Sequence, residues 1–251
     1  MLSDQQLLQY SRHLMLPEVD MAGQERWLAS RVLVVGLGGL GSPVALYLAT
    51  AGVGQLILVD DDQVEISNLQ RQIIHTRDQL GKSKVASAAH QLALLSPETK
   101  VTTIEQRLTG LLLEDSVANV DLVVDCSDNF ETRHALNRAC FKLGVPLVSG
   151  AAIRFEGQVS VYNPKVMASP CYRCLFPEDA RVEQNCSTSG VFAPLVGMVG
   201  AVQAAEALKV LAGLGQDLTG KLLMVDALTM EWRTLKLTAN PKCPVCGDRD
   251  R

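Results

Sequence analysis

Three observations in this 251-residue sequence predict an α/β fold, with a mostly parallel, doubly wound sheet extended by antiparallel strands. Short apolar runs alternate with helix-patterned stretches as far as residue 150, the pattern of consecutive strand–helix–strand units. The stretch "VLVVGLGGLG" at 32–41 passes from a strand through Gly36-x-Gly38-x-x-Gly41 into the start of a helix. Beyond Gly150, "GQVSVYN", "KLLMVDA" and "EWRTLKL" alternate with period two, as strands with one exposed face do.

The elements follow in order. The N-terminal segment carries helical spacing with Ser3-Asp4 as its cap, and a second short helix is expected over 23–30. Strands are expected over 32–35, 56–59, 101–104, 121–125 and 145–149, with helices over 41–51, 82–96 and 130–143 between them. A turn-rich stretch covers 163–190, and its polar part, 176–190, is long enough to be mobile. From Val191 an apolar helix follows, interrupted by Gln203, Glu206 and Lys209. A membrane span wants ~20 apolar residues with few charges, so this helix reads as buried with a polar edge. One domain is expected over 1–251, with N-terminal helices at 1–30, a nucleotide-binding half at 31–150 and an antiparallel half at 151–251.

Composition narrows the function. With a net charge of −4 and only 4% aromatic residues, the chain has neither the basic footprint nor the stacking surface of a nucleic-acid binder. The opening "MLSDQQLLQYSRHLML" lacks the basic and apolar regions of a secretory signal, so a cytoplasmic protein without a membrane partner is expected. Seven cysteines would leave one unpaired in a disulfide framework, and four of them stand in C-x-x-C units.

The glycines carry the first chemical signal. Gly36 allows the tight turn, Gly38 lets backbone approach phosphates, and Gly41 lets helix and strand pack closely, with Gly39 between them. The helix N-terminus offers unpaired N–H groups to an anion, and Asp60 ends the next strand where a carboxylate accepts from ribose hydroxyls. This Rossmann-like unit does not by itself separate NAD from ATP. "LGKS" at 80–83 is not a P-loop, because Thr76 stands where its first glycine belongs. Lys82 and Lys84 still start a helix from which a lysine reaches a phosphate, or they are simply solvated.

Two further segments lie just past strand ends, where doubly wound sheets bind ligands. "ISNLQRQ" at 66–72 supplies Ser67, Asn68 and Arg71, suited to ribose and phosphate oxygens, or is an ordinary loop. "DCSDN" at 125–129 supplies Asp128, which either holds Mg²⁺ or caps the helix that follows, with Asn129 beside it and Asp125 structural.

"CYRC", Cys171 and Cys174, and "CPVC", Cys243 and Cys246, supply four thiolates for a closed, structural zinc knuckle made of cysteines alone. Their long separation means the metal would clip the C-terminal tail back onto the sheet. Cys140 and Cys126 read as packed, whereas Cys186 in "EQNCSTSG" is either an acyl or sulfur acceptor or an idle loop cysteine.

Taken in order, "RVLVVGLGGLGSPVALYLATAGVG", "DDDQVEISNLQRQ", "GKSK", "DLVVDCSDN", "CYRC", "NCSTSGVFAPLVG" and "CPVC" resemble the bacterial ThiF/MoeB adenylyltransferases, relatives of the ubiquitin-activating enzymes. The resemblance covers about 3–247. It implies ATP-dependent adenylation of the C-terminal Gly-Gly carboxylate of a ubiquitin-like sulfur-carrier protein, with pyrophosphate released. It also implies that the glycine loop and Asp60 hold the nucleotide while Asn68, Arg71 and Lys84 surround its phosphates. Asp128 would hold Mg²⁺, the four cysteines structural zinc, and Arg12 would reach the ATP of the other subunit in a homodimer. Cys186 matches a loop cysteine that links to the carrier in some members, and the half at 151–251 would bind the carrier. "LVSGAAIRFEGQVSVYN" is similar to MoeB, which favours a MoaD-like carrier. "QRLTG" and "CLFPEDARVEQNC" are similar to ThiF, whose carrier is ThiS-like. The sulfur would come from a separate protein such as a cysteine desulfurase or rhodanese.

Two remoter readings stand beside this one. An NAD-dependent oxidoreductase would use the glycine loop but leaves "NLQRQ" and the cysteines unexplained. A non-catalytic scaffold would not need Arg12, Arg71, Lys84 and Asp128 together.

Overall fold

A computed structural model describes residues 2–178 and 189–247. Cys186 and most of the polar loop expected to be mobile lie outside the described residues. Three helices open the chain: α1 (Asp4–Gln9), α2 (Ser11–Leu14) and α3 (Asp20–Ala29). The expected Ser3 cap forms as a capping box, its hydroxyl accepting from Gln6 N while the Gln6 side chain accepts from Ser3 N.

Strands and helices then alternate, as expected except for the added helix α6: β1 (Arg31–Val35), α4 (Gly41–Thr50), β2 (Gln55–Val59), α5 (Lys84–Leu95), β3 (Lys100–Ile104), α6 (Gly110–Ala118), β4 (Leu122–Asp125), α7 (Phe130–Leu143) and β5 (Leu147–Ile153). After β5 come β6 (Glu156–Tyr162), α8 (Tyr172–Leu175), α9 (Ala193–Ala212), β7 (Lys221–Asp226) and β8 (Glu231–Lys236). One eight-stranded sheet runs β3-β2-β1-β4-β5-β6-β7-β8. Its first five strands in that order are parallel, and β6, β7 and β8 continue it antiparallel.

The apolar strand runs follow from a sheet covered on both faces. Along β1, Val32 and Val34 enter one core with α4, α5 and α9, while Leu33 and Val35 enter another with α6 and α7. β5 continues beyond the expected 145–149 because a tight hairpin pairs it with β6 as far as Ile153↔Glu156.

Helix α9 is apolar and long enough to pass for a membrane span, but it lies on the sheet as a core helix. Its expected polar edge is not a solvent face. Gln203 is fully buried and donates from Nε2 to the Asp125 carbonyl at 2.8 Å. Glu206 is also buried, pairing with Lys209 Nζ at 2.5 Å and accepting from Leu218 N at 2.7 Å. Buried polar groups require such partners, and these tie α9 to the carboxyl end of β4 and to the chain before β7.

Candidate active site

β1 pairs with β2 on one side and β4 on the other, so the connections leave it in opposite directions, and a cleft opens at that switch point. It measures about 370 Å³ and is lined by the glycine loop, Asp60 to Asp62, Arg71, Lys84, Arg107 and the turn 126–129. Gly36 has a φ of 91°, and a Cβ there would stand 2.7 Å from the Cys126 carbonyl oxygen. A Cβ on Gly41 would come within 1.9 Å of the Gly36 carbonyl oxygen. These two positions close the loop tightly against β4 and against itself.

Leu37 N donates to Asp60 Oδ2 at 2.7 Å. The N–H groups of Gly38 and Gly39, by contrast, have no acceptor among the described residues. No side chain caps α4, whose N-terminus adds its dipole beneath the same loop. Free donors plus a helix start make a cradle suited to phosphate oxygens. Asp60 also accepts from Asp62 N at 2.9 Å. Burial pushes the Asp60 carboxyl above its ordinary value, outweighing the nearby Lys84 and the two backbone donors.

Cations converge from three elements. Lys84, at the start of α5, is buried and pairs with Asp62 at 2.8 Å. Arg107, just past β3, pairs with Asp61 at 2.8 Å. Arg71 is half-buried, its Nη1 donating to the Ser67 carbonyl at 3.1 Å. Opposite them Asp128 is exposed and has no hydrogen-bond or ion-pair partner among the described residues. The helix-cap alternative goes to its neighbour: Asn129 Oδ1 accepts from Thr132 N at 2.9 Å, at the start of α7. Asp125 is structural as expected, accepting from Ser127 N, Ser127 Oγ and Ser149 Oγ and so shaping the turn that presents Asp128.

Of the residues expected in the site, Gly36, Gly38, Gly39, Asp60, Arg71, Lys84, Asp128 and Asn129 line the cleft. Gly41 lies behind the loop it closes. Ser67 and Asn68 are not on the cleft surface: Asn68 is buried, and its Oδ1 accepts from Glu65 N at 3.2 Å, so the amide holds its own turn. Arg12 is exposed on α2, beside Tyr10, His13 and Tyr47 in a separate hollow. Sequence reasoning missed Gln72, Arg107 and Arg133. Arg107 follows a strand end, the same signal that found Asp128. Arg133 had none, since only the face of α7 turns it to the cleft, where its Nη2 donates to the Ser127 carbonyl at 2.7 Å.

The four expected cysteines come together although the two pairs are far apart in sequence. Sγ separations are 3.9 Å for Cys171–Cys174, 3.5 Å for Cys171–Cys243 and 3.3 Å for Cys174–Cys246, and all four lie within 4.8 Å of one another. Tetrahedral zinc with Zn–S near 2.3 Å needs edges of roughly 3.8 Å, so the set fits that ion. Asn240 N donates to Cys174 Sγ at 3.4 Å, a contact that suits a thiolate. Cys126 and Cys140 are buried as expected, and burial pushes both thiols up.

Fold and site together define an α/β protein with an anion-suited cleft at the switch point of a doubly wound sheet and a four-thiol group able to bind metal. Residues 10–245 match the ThiF family, and the chain belongs to it. It is 45% identical over 246 residues to the Sulfur carrier protein ThiS adenylyltransferase of Escherichia coli K12, covering 98% of this chain and 97% of that one. It is 48% identical over 249 residues to the Molybdopterin-synthase adenylyltransferase of the same organism, covering 98% of each. Among solved structures, E. coli MccB with ATP superposes with a TM-score of 0.83 at 25% identity, over 95% of this chain and 74% of that one.

Proposed function

We propose that this protein uses ATP to adenylate the C-terminal carboxylate of a ubiquitin-like sulfur carrier, releasing pyrophosphate. The observation that carries the reading is the convergence of Gly38, Gly39, Lys84, Arg71 and Asp128, which has no partner among the described residues, on one cleft, in a chain of the ThiF family. A carboxylate that is already ionised near neutral pH needs no general base to attack the α-phosphorus. What it does need is charge stabilisation on the phosphoryl oxygens and the leaving pyrophosphate, which fixed N–H donors and cations supply. Lys84 and Arg71 take that role, with the glycine loop orienting the phosphates and Asp60 the ribose. Asp128 would hold a magnesium ion, which would offset phosphate charge. Asn68 and Ser67 contribute through the turn that carries Arg71.

A second hollow of about 190 Å³ shares Asp128, Arg133 and Ala152 with the cleft and runs out past Phe130, Ile153, Phe176 and Met224. Its apolar walls and its meeting with the cleft at Asp128 favour entry of the carrier tail there. Exposed Leu235 on β8 lies on the same face of the sheet as Met224 and extends the apolar margin of the hollow towards the carrier body. The cysteine cluster is proposed to hold structural zinc. Arg12 is proposed to complete the partner's cleft in a homodimer, favoured by exposed Leu8, Met15, Leu16 and Tyr47 nearby. The protein would act in the cytoplasm and receive sulfur from a separate donor protein.

The carrier is proposed to be MoaD-like, with a ThiS-like carrier as the alternative. Carrier-dependent ATP–pyrophosphate exchange tests this, with both carriers compared side by side. Exchange with one, lost when its terminal Gly-Gly is deleted, is the expected result. No exchange with either, from folded protein, would overturn the reading. For the dimer, Arg12→Ala and Lys84→Ala chains mixed together should regain activity that neither has alone.

A further inference from the structure

His75 lies beneath the glycine loop, 5% exposed and off the cleft wall. Its Nε2 stands 3.0 Å from the Leu37 carbonyl oxygen and its Nδ1 2.9 Å from Ser87 Oγ. A carbonyl only accepts, so Nε2 carries the proton and Nδ1 accepts from the Ser87 hydroxyl. Burial, helped by the charge of Lys84, pushes His75 below its ordinary value against the pull of the Leu37 carbonyl, which favours this neutral ring.

Leu37 is thereby held at both main-chain groups, its N–H by Asp60 and its C=O by His75. In a planar trans peptide the C=O and the following N–H point in opposite directions. Holding the Leu37 carbonyl inward therefore turns the Gly38 N–H outward, into the cleft that Gly38 lines. Gly38 itself does not fix this peptide, because glycine accepts φ of either sign, and Ser42 N and Oγ hold the Gly38 carbonyl rather than that of Leu37. A Cβ at position 38 would meet only the Gln72 amide, at 3.5 Å, so packing does not lock the loop there.

We infer that His75 is a positioning residue for the nucleotide phosphates. It locks the Leu37–Gly38 peptide so that the Gly38 N–H faces an anion. Ser87 ties that lock to α5, the helix that begins with Lys84, so the backbone donor and the cation are held as one platform. The inference rests on the nucleotide reading of the cleft.

Two substitutions in the full chain separate the lock from general packing. In His75→Asn the amide reaches only the Nδ1 place and keeps Ser87. In His75→Gln the amide reaches the Nε2 place and donates to Leu37. The Asn variant should bind ATP about ten-fold more weakly, the loss expected for one misdirected bond to a charged group, with adenosine affinity unchanged. The Gln variant should stay within about three-fold of wild type, and the Gly38 amide resonance of ligand-free protein should move in the Asn variant alone. Unchanged ATP affinity in the Asn variant, or an equal loss for ATP and adenosine, would overturn the inference. Wild-type protein that binds no ATP would sink the nucleotide reading and the phosphate role together. The Gly38 resonance, read without ligand, would still decide whether His75 sets that peptide.

Discussion

The parallel half of the sheet and the cysteine-bearing region are built on opposite terms. Strand β1 is buried on both faces from Val32 to Val35, and its neighbours β2 and β4 are nearly as covered. Around the four cysteines, α8 is a single turn, residues 237–247 hold only turns, and β8 is exposed along all six positions. The buried apolar cluster there is Cys171, Cys243 and Cys246, with Phe141, Cys174 and Val245 packed against it. Apolar burial alone is enough to order the first region, whereas in the second Tyr172, Phe176 and Leu237 reach a main core and the proposed metal would hold the rest of the tail. The fixed donors of the cleft sit on the first kind of structure, and the tail clipped against the sheet on the second.

The largest effect should come from removing the proposed zinc. Chelation, or Cys243→Ser, should raise amide hydrogen exchange across 171–176 and 239–247 by orders of magnitude while β1 and β4 stay protected. Unchanged exchange in the cysteine region would erase the contrast and the zinc claim with it.

The reverse experiment is Lys84→Ala, which should lower kcat/KM for adenylation by about 10²–10³-fold, as loss of one transition-state donor does. Metal content and the thermal midpoint should stay as in wild type. A matching loss of stability would mean that the lysine supports the fold rather than the chemistry.

Gly41→Ala probes the covered region itself. Its Cβ would meet backbone at Gly36, which has no side chain to move, so a destabilisation of about 3 kcal/mol is expected in denaturant melts. A near-neutral result would show that the loop is looser than its geometry.

The smallest effect is in the pH dependence. Because the folded value of His75 lies below its ordinary one, its contribution to stability is present above about pH 6.5 and declines as pH falls through the folded value. His75→Gln should flatten that part of the stability–pH curve. An identical curve would remove His75 from the acid response.

Much of the site was legible because its signals are local. Gly41 is required by a contact five residues back and Gly36 by its own positive φ, and the C-x-x-C spacing is set by the reach of two thiolates around one ion. Asp128 and Asp60 were legible through the ends of their strands. Asn68 and Ser67 are close in sequence to Arg71, but neither lines the cleft, and the Asn68 side-chain oxygen accepts from Glu65 N. Gln203 looked like the polar edge of a helix because periodicity carries no information about a buried carbonyl waiting at Asp125.

What the sequence by itself determined was the covered parallel sheet, the glycine loop and the metal-ready thiols, since each rests on burial or spacing that acts over a few residues. Only the tertiary structure decided that Arg107, Arg133 and Gln72 join the cleft and that His75 holds the Leu37 carbonyl. Those outcomes depend on the register of separate strands and the facing of separate helices. Hydrogen bonds and ion pairs act over a few ångströms, and that closeness exists only once the chain has folded.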